Sequence, residues 1–156
     1  MSEQRNGNQS LMNLDKLIES RESIPSTTFP IGEEELCDRY SSLYTGAIND
    51  VLREFLLLDQ ALPSEIMPLR ETMKVAGIAF TIKSHPSTQI SGEMETRARM
   101  LDEVRSGTII VWDSSGDRKA ALWGEVMTAT CKRKGVRGAV VDGGTRDTQQ
   151  VLAQEF

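Results

Sequence analysis

The sequence has few of the residues that build zinc sites and disulfide frameworks. It contains two cysteines, Cys37 and Cys131, and one histidine among 156 residues. The cysteines do not form a Cys-x-x-Cys pair, so there is no zinc pattern and we expect two free thiols in a reducing compartment. The histidine, His85, follows a predicted strand with no carboxylate or nucleophile placed to use it. We therefore interpret it as a loop residue rather than a general base.

The chain also lacks long apolar runs and an excess of positive charge. No window approaches the roughly 18 apolar residues of a membrane-spanning helix, and the N-terminus lacks the basic-then-apolar pattern of a signal peptide, so the cytoplasm is expected. The formal net charge is −5, which argues against nucleic acid as the main partner because phosphate binding needs a dense basic patch. The basic run Lys132-Arg133-Lys134 is interpreted as a solvated helix end, where cations suit the helix dipole.

Apolar periodicity predicts one α/β domain. The predicted segments are helices over 33–55, broken near Gly46, and over 91–105, with strands over 74–83, 108–112 and 138–141. A turn over 42–46 could separate two helices, with Thr45 capping the second. Residues 1–32 are polar and are predicted to form a flexible extension, which leaves a domain over 33–156. The alternation of helices and strands indicates a sheet that is at least partly parallel.

Two turns of this pattern carry the residues best suited to chemistry. In a strand-helix-strand unit, the ends of the strands over 108–112 and 138–141 open at the same sheet edge, where open α/β folds keep ligand sites. Glu125, Arg146 and Asp147 could therefore converge although they are far apart in sequence. No Gly-rich dinucleotide motif is present, so a bound nucleoside cofactor is not expected.

The first turn combines a glycine, a helix start and a carboxylate. Helical spacing predicts a helix that begins near Glu125, directly after Gly124. A helix that begins after a glycine presents free backbone N–H groups at its positive end, and such an end can bind a carboxylate. Glu125 would also suit the helix dipole there. This turn therefore offers both an anion-binding position and an acidic side chain.

The second turn places Arg146-Asp147 after a strand and two glycines, which allow the backbone to turn sharply and to approach a ligand closely. Arg146 can grip a carboxylate or enolate oxygen with two hydrogen bonds. If the loop splays the two side chains, Asp147 is an oxygen ligand for a hard cation such as Mg²⁺. The alternative is a structural pair in which Asp147 caps the last helix. The dipeptide alone does not decide between them.

The residues around these turns resemble a known family. The segment WGEVMTATCKRKGVRGAVVDGGTRD is similar to the core of the RraA-like proteins, which include class II 4-hydroxy-4-methyl-2-oxoglutarate (HMG) and 4-carboxy-4-hydroxy-2-oxoadipate (CHA) aldolases. The segments YTGAINDVL, VAGIAFTIK and SGTIIVWDSSGD resemble the family's early helix, its first core strand and the strand and loop before the motif. The resemblance covers roughly residues 36–156. Glu125 and Arg146 are 21 positions apart (146 − 125), which fits the family spacing.

The resemblance implies a role for each acidic or basic residue of the motif. Arg146 matches the arginine that contacts the keto or enolate oxygen of pyruvate, and Asp147 matches the direct ligand of a divalent metal, Mg²⁺ or Mn²⁺. Glu125 matches the acidic residue that holds water on that metal. The implied activity is metal-assisted cleavage of a 4-hydroxy-2-oxo acid with release of pyruvate, and decarboxylation of oxaloacetate by the same chemistry.

The resemblance also implies a fold, an assembly and a substrate-binding turn. Gly124, Val126 and Met127 match the turn whose backbone amides receive the pyruvate carboxylate. The implied fold is a swivelling β/β/α domain that forms trimers or hexamers, with the site between subunits. The family pattern often has an acid where this chain has Gln150, and it continues into further strands beyond Phe156. We therefore expect weaker metal binding and a domain without its C-terminal strands. The alternative function is a non-catalytic RraA-type regulator that binds and inhibits an RNA-degrading endonuclease.

Overall fold

The structure is a computed structural model that describes residues 29–88 and 91–156. The extension predicted over 1–32 falls almost entirely outside these residues and stays a prediction. The chain divides into two compact units. The first includes Ser42–Leu62, and the second comprises Glu33–Ser41 and Pro63–Phe156. Within the described ranges, no helix is both long and apolar enough to cross a membrane.

Ten elements follow one another along the described chain. They are α1 (Glu33–Ser42), α2 (Thr45–Glu54), β1 (Ile78–Lys83), α3 (Glu93–Glu103), β2 (Thr108–Asp113), β3 (Ala121–Trp123), α4 (Glu125–Arg133), β4 (Gly138–Asp142), β5 (Gly144–Thr145) and α5 (Thr148–Ala153). The α/β class expected from the sequence is confirmed, since helices alternate with strands that pair in parallel.

The main sheet has three parallel strands in the order β1-β2-β4. The central strand β2 alternates buried and half-buried residues, and Ile110 and Trp112 point into the core at 0% and 4% exposure. Alternation follows from the pleat, which sends successive side chains to opposite faces. Gly77, just before β1, permits a close approach, because a Cβ there would lie 2.8 Å from Ile109 Cγ2.

A second, two-stranded sheet pairs β3 with β5, also in parallel. It was not predicted. No strand was predicted directly before Gly124, and the two glycines before Arg146 were predicted to belong to a turn. Strands of three and two residues are too short to show alternation, and only their pairing reveals them. Gly143 and Gly144 serve this pairing, because a Cβ on them would meet Leu122 Cδ1 at 2.9 Å and the Ala120 carbonyl oxygen at 2.7 Å.

The long helix predicted over 33–55 is two helices. The break falls at Leu43 and Tyr44, slightly before Gly46, and Thr45 is the first helical residue rather than the cap. Tyr44 occupies the cap position with extended backbone. The helix-to-helix turn was therefore predicted correctly, but the capping role of Thr45 was wrong.

Two lysines of the basic run near the end of α4 form hydrogen bonds to the ends of other helices, in addition to the solvation expected from the sequence. Lys134 Nζ donates to the carbonyl oxygens of Leu101 at 2.6 Å and Asp102 at 3.1 Å, at the end of α3. Lys132 Nζ donates to the Gln154 carbonyl after α5. Cations placed at helix C-termini satisfy carbonyls that have no partner within the helix.

The last helix, α5, packs on the core. Val151 is 5% exposed and belongs to the main hydrophobic cluster. Phe156 stacks on Trp123, with ring centroids 6.0 Å apart and an interplanar angle of 16°. These contacts hold α5 beside α4, and they fix the position of the turn that connects β5 to α5.

Candidate active site

The carboxyl ends of β3 and β5 meet at one edge of the small sheet. Because the two strands are parallel, the residues that follow them, Gly124 and Arg146, leave the sheet side by side. The Arg146 backbone N–H donates to the Trp123 carbonyl oxygen at 2.9 Å and extends this pairing by one step. The predicted convergence of the two turns is thus observed, but at the small sheet rather than at the edge of the main one.

Gly124 is buried where the two turns touch. A Cβ on this residue would lie 2.8 Å from Asp147 Oδ2 and 3.0 Å from Arg146 Cγ. Its φ of −171° is extended backbone that any residue can adopt. The glycine is therefore required by the proximity of the Arg146 and Asp147 side chains and not by backbone strain.

Asp147 lies at the start of α5 in the left-handed region, with φ 56° and ψ 36°. Left-handed backbone is uncommon outside glycine, although aspartate tolerates it better than most residues. Its carboxylate makes no capping hydrogen bond with any described residue of its own helix. Instead, Oδ2 lies 3.4 Å from the Glu125 backbone nitrogen and 3.4 Å from Arg146 Nε. The side-chain cap considered from the sequence is not formed, and the side chains of Arg146 and Asp147 come together rather than splay apart.

The first turn of α4 presents backbone donors beside this pair. The amide hydrogens of Glu125, Val126 and Met127 precede the first intrahelical bond, in which Thr128 N–H donates to the Gly124 carbonyl at 3.0 Å. The Glu125 side chain is exposed, and Val126 is 71% exposed. Met127 points into the core at 9% exposure, so it can serve a ligand only through its backbone.

A buried hydrogen-bond network lies directly beneath the glycine. Trp123 Nε1 donates to Thr128 Oγ1 at 2.9 Å, and Thr128 Oγ1 donates to the Gly124 carbonyl oxygen at 3.0 Å. Gln154 Nε2 also donates to the Glu125 carbonyl at 3.3 Å. Sequence reasoning missed Thr128 and Gln154. The i, i+4 spacing of Gly124 and Thr128 was the one available signal, because threonine often bonds the carbonyl one turn back.

Two other residues considered from the sequence lie apart from this network. His85 is exposed in the loop after β1, where Nδ1 lies 3.1 Å from the Pro86 carbonyl oxygen. Gln150 is exposed on α5. At the edge of the main sheet, Asp113 pairs with Lys83 and Asp142 with Arg118, each at 2.8 Å. These exposed pairs neutralise the polar edge on which the sequence had placed the site.

The Asp147 carboxylate supplies oxygen, the ligand atom that a hard divalent cation prefers, but its Oδ2 is already paired with Arg146. The Asp147 side chain is 41% exposed, and its oxygens are held toward the junction of the two turns. Among the described residues, no three histidine, cysteine, aspartate or glutamate side chains gather as a metal-binding group. A cation held here would rely on Asp147 and on water, as Mg²⁺ commonly does with one or two carboxylates.

Fold and site together define an α/β protein with an arginine–carboxylate site at the carboxyl ends of a parallel strand pair. The chain belongs to the RraA-like family, because the family model described as Aldolase/RraA matches residues 35–156.

Relatives of this chain carry names of different kinds. It is 30% identical over 124 residues to a protein of Halalkalibacterium halodurans named as a 4-hydroxy-4-methyl-2-oxoglutarate aldolase, a match that covers 80% of this chain. It is 58% identical to a solved structure described as novel cellulases from microbes associated with the gut ecosystem, with a TM-score of 0.81 over 94% of this chain. A Streptomyces coelicolor structure, described as RraAS2, an unusual member of the RNase ES inhibitor RraA protein family, is 26% identical over 80% of this chain, with a TM-score of 0.66.

The chain is shorter than each of these relatives. It spans 55% of the Halalkalibacterium protein, 66% of the first solved chain and 61% of the Streptomyces chain. The similarity establishes the family and the fold, and the activity is a separate question.

Proposed function

We propose that this chain is a divalent-metal-dependent lyase that cleaves 4-hydroxy-2-oxo acids, such as 4-hydroxy-4-methyl-2-oxoglutarate, and releases pyruvate. The observation that carries the proposal is the meeting of Arg146 and Asp147 over Gly124, beside the open first turn of α4. The junction of the two turns thus combines a carboxylate that can bind a cation, a guanidinium and free backbone donors. These groups suit a small 2-oxo acid. The name of the Halalkalibacterium relative supports the same class of reaction.

The substrate carboxylate would bind the first-turn amides of α4. The N–H groups of Val126 and Met127 have no acceptor within the helix, and the positive end of the helix dipole favours an anion. Val126 is exposed, which leaves this turn accessible to a ligand. The Arg146 side chain is 70% exposed and could reach the 2-oxo oxygen, where negative charge develops during cleavage.

Asp147 would hold the divalent cation, Mg²⁺ or Mn²⁺. When bound, such a cation supplies Lewis-acid polarisation of the 2-oxo group. Arg146 adds a second positive charge at the same oxygen, so the guanidinium stabilises the enolate more than the ground-state ketone. The Arg146–Asp147 contact at 3.4 Å keeps the two groups on the same side of the substrate.

Cleavage requires a base and then an acid, and Glu125 is the acidic side chain placed beside this turn. In the reaction, the proton leaves the 4-hydroxyl group and the C3–C4 bond breaks. The bonding electrons move to the 2-oxo oxygen as an enolate, and a proton returned to C3 completes pyruvate. Glu125 is exposed and can exchange that proton with solvent. Oxaloacetate would lose CO₂ to give the same enolate, without removal of a hydroxyl proton.

The test is pyruvate release by the full chain with Mg²⁺ or Mn²⁺, followed through lactate dehydrogenase and NADH absorbance. Arg146→Ala and Asp147→Ala should each lower kcat/KM by about 100-fold or more, as loss of a transition-state donor does. Arg118→Ala is the matched control, because Arg118 forms an exposed ion pair at the main sheet edge instead. Unchanged turnover in both site variants would refute the residue assignment.

A second candidate is a regulator that inhibits an RNA-degrading endonuclease. It is favoured by similarity to the Streptomyces RraAS2 structure, whose family is described as an RNase ES inhibitor. Inhibition of RNA cleavage by the purified chain, unaffected by Asp147→Ala and without pyruvate release, would favour this function over the lyase.

We also propose that the chain forms a homo-oligomer, a trimer or a hexamer. An exposed site at the edge of a two-stranded sheet would gain shelter from water if a second subunit covered it. Sedimentation equilibrium measures the assembly directly, and a monomer at micromolar concentration would refute it.

A further inference from the structure

Thr128 is the fourth residue of α4 and is fully buried, at 0% exposure. Its Oγ1 has two partners, Trp123 Nε1 at 2.9 Å and the Gly124 carbonyl oxygen at 3.0 Å. An indole N–H can only donate, so the threonine oxygen accepts from Trp123 and its own proton goes to Gly124. The chemistry of the three groups therefore fixes the direction of the hydroxyl.

The Gly124 carbonyl receives a second hydrogen bond from the same residue. The Thr128 backbone N–H donates to it at 3.0 Å, as in an ordinary helix. A carbonyl oxygen has two lone pairs, and Thr128 therefore occupies both acceptor positions of this one. Rotation of the peptide group that joins Gly124 to Glu125 would break both bonds at once.

That peptide group also carries the donor that faces the proposed metal ligand. The peptide unit is planar and trans, so the Gly124 C=O and the Glu125 N–H point in opposite directions within one rigid plane. The Glu125 N–H points to Asp147 Oδ2 at 3.4 Å. An anchored carbonyl on the buried side therefore aims the amide on the exposed side.

Trp123, which donates to Thr128, is itself held in place by packing in the core. Its side chain is 4% exposed and stacks on Phe156. The indole cannot turn away from Thr128 without breaking that stacking and opening a cavity in the core. The chain of contacts runs from the core through Trp123, Thr128 and Gly124 to the Glu125 amide.

We propose that Thr128 is a positioning residue of the site, and that its hydroxyl orients the Gly124–Glu125 peptide toward Asp147. This inference rests on the proposed function for its effect on turnover. The orientation itself is a property of the chain and is measured separately. Thr128 would act through Gly124 and Glu125, without touching the substrate.

The same helix offers a matched control. Thr130 Oγ1 donates to the Val126 carbonyl oxygen at 2.8 Å, the same one-turn bond that Thr128 makes. Thr130 is half-buried, and the indole of Trp123 donates to Thr128 instead. Thr130→Val therefore removes an equivalent helix bond and leaves the Trp123–Thr128–Gly124 contacts in place. It is the control for the Glu125 amide resonance and for Mn²⁺ binding. It is not the control for kcat and KM, because the Val126 carbonyl shares its peptide plane with the Met127 N–H proposed to bind the substrate.

The experiment compares Thr128→Val, Thr128→Ser and Thr130→Val with the wild-type full chain. Four measurements are made on each protein. They are the melting temperature, kcat and KM for pyruvate release, the dissociation constant for Mn²⁺ by water-proton relaxation, and the ¹H–¹⁵N resonance of the Glu125 amide. The amide resonance reports the orientation even without turnover. The melting temperature shows whether each variant is folded.

Thr128→Val should lower kcat/KM and weaken Mn²⁺ binding by about 10-fold, the lower end of what loss of a supporting bond at a metal site costs. It should also move the Glu125 amide resonance further than Thr130→Val does. Thr128→Ser keeps the hydroxyl and should stay within about 3-fold of the wild type, on the same scale of effects. A folded Thr128→Val protein with an unmoved Glu125 resonance would overturn the inference, whatever its melting temperature.

The failure of the proposed function gives a different pattern. The wild type would then release no pyruvate but would still bind Mn²⁺. If Thr128→Val weakened that binding and Thr130→Val did not, the lyase activity would be refuted and the positioning role of Thr128 supported. If Thr128→Val lowers only the melting temperature and Thr128→Ser restores it, Thr128 is a core residue and the positioning role is wrong.

Discussion

Replacement of Gly124 by alanine is the sharpest perturbation of the site, because it adds one methyl group where the two turns meet. The new Cβ would lie 2.8 Å from Asp147 Oδ2, 3.0 Å from Arg146 Cγ and 3.4 Å from Arg146 Nε. The first two separations are about 0.5 Å too short for unstrained contact. The extended φ of −171° accepts alanine, so the effect is purely steric. Something must move, and the candidates are the two side chains proposed to bind the metal and the enolate.

The magnitudes separate stability from activity. Overpacking inside a core costs about 1–3 kcal/mol. The side chains that collide here are 70% and 41% exposed and can rotate into solvent. We therefore expect Gly124→Ala to lower the free energy of unfolding by about 1 kcal/mol, the low end of that range. The same rotation displaces the Asp147 carboxylate by roughly 1 Å, and misplacement on that scale can cost about 100-fold in rate.

The assay pairs urea denaturation with pyruvate release in the presence of Mn²⁺. Gly32→Ala is the control, because a Cβ at Gly32 meets nothing within 4 Å, and it should change neither measurement. The expected result for Gly124→Ala is a folded protein whose kcat/KM is about 100-fold lower than that of the wild type. A folded variant with kcat/KM and Mn²⁺ affinity within about twofold of wild type would refute the reasoning, since the close approach would then be incidental packing.

Three further outcomes follow from contacts elsewhere in the chain. The hydrogen bond from Lys83 holds the pKa of Asp113 below its ordinary value. The ionised carboxylate therefore stabilises the fold when the pH is above that ordinary pKa. This contribution is lost as the pH falls through the folded-state pKa. Lys83→Gln should raise the pKa of Asp113, measured by carboxyl ¹³C NMR, and an unmoved titration would contradict the pairing. Burial raises the pKa of the Cys131 thiol to about 11, so about one molecule in a thousand carries the thiolate at pH 8 and disulfide reagents should label it only after unfolding. Phe156→Ala removes the stack on Trp123 and should cost about 2 kcal/mol in urea denaturation, whereas Phe156→Leu should recover most of it.

Elements with a strong apolar period were predictable from the sequence. The strand beginning at Thr108, the helix beginning at Glu125 and the strand beginning at Gly138 all appear where periodicity placed them. The two strands were visible as short apolar runs and the helix by its helical spacing, and apolar residues of all three lie in the core or pack against it. The resemblance to the RraA-like family, carried by the same residues, is confirmed by the family match.

Features made by contact between distant residues were not predictable. The pairing of β3 with β5 spans two short segments that carry no pattern of their own. The need for glycine at position 124 arises from side chains more than 20 positions away. The orientation of the Asp147 carboxylate toward the Glu125 amide depends on a left-handed backbone that the dipeptide does not specify. The roles assigned to these residues stay predictions.

The short β3–β5 pair explains why so many glycines gather around the site. Two hydrogen-bonded strands of three and two residues supply too few bonds to fix a side chain precisely. Close packing compensates for the small number of strand hydrogen bonds, because Gly143 and Gly144 allow β5 to contact Leu122 and the Ala120 carbonyl. Gly124 then lets the turn after β5 rest directly on the turn after β3. An arginine and an aspartate on a flexible loop would pay a large entropic cost to converge. Here the glycines allow the two turns to lie in contact, and the hydrogen bonds from Trp123 to Thr128 and from Thr128 to Gly124 link the first turn to the core.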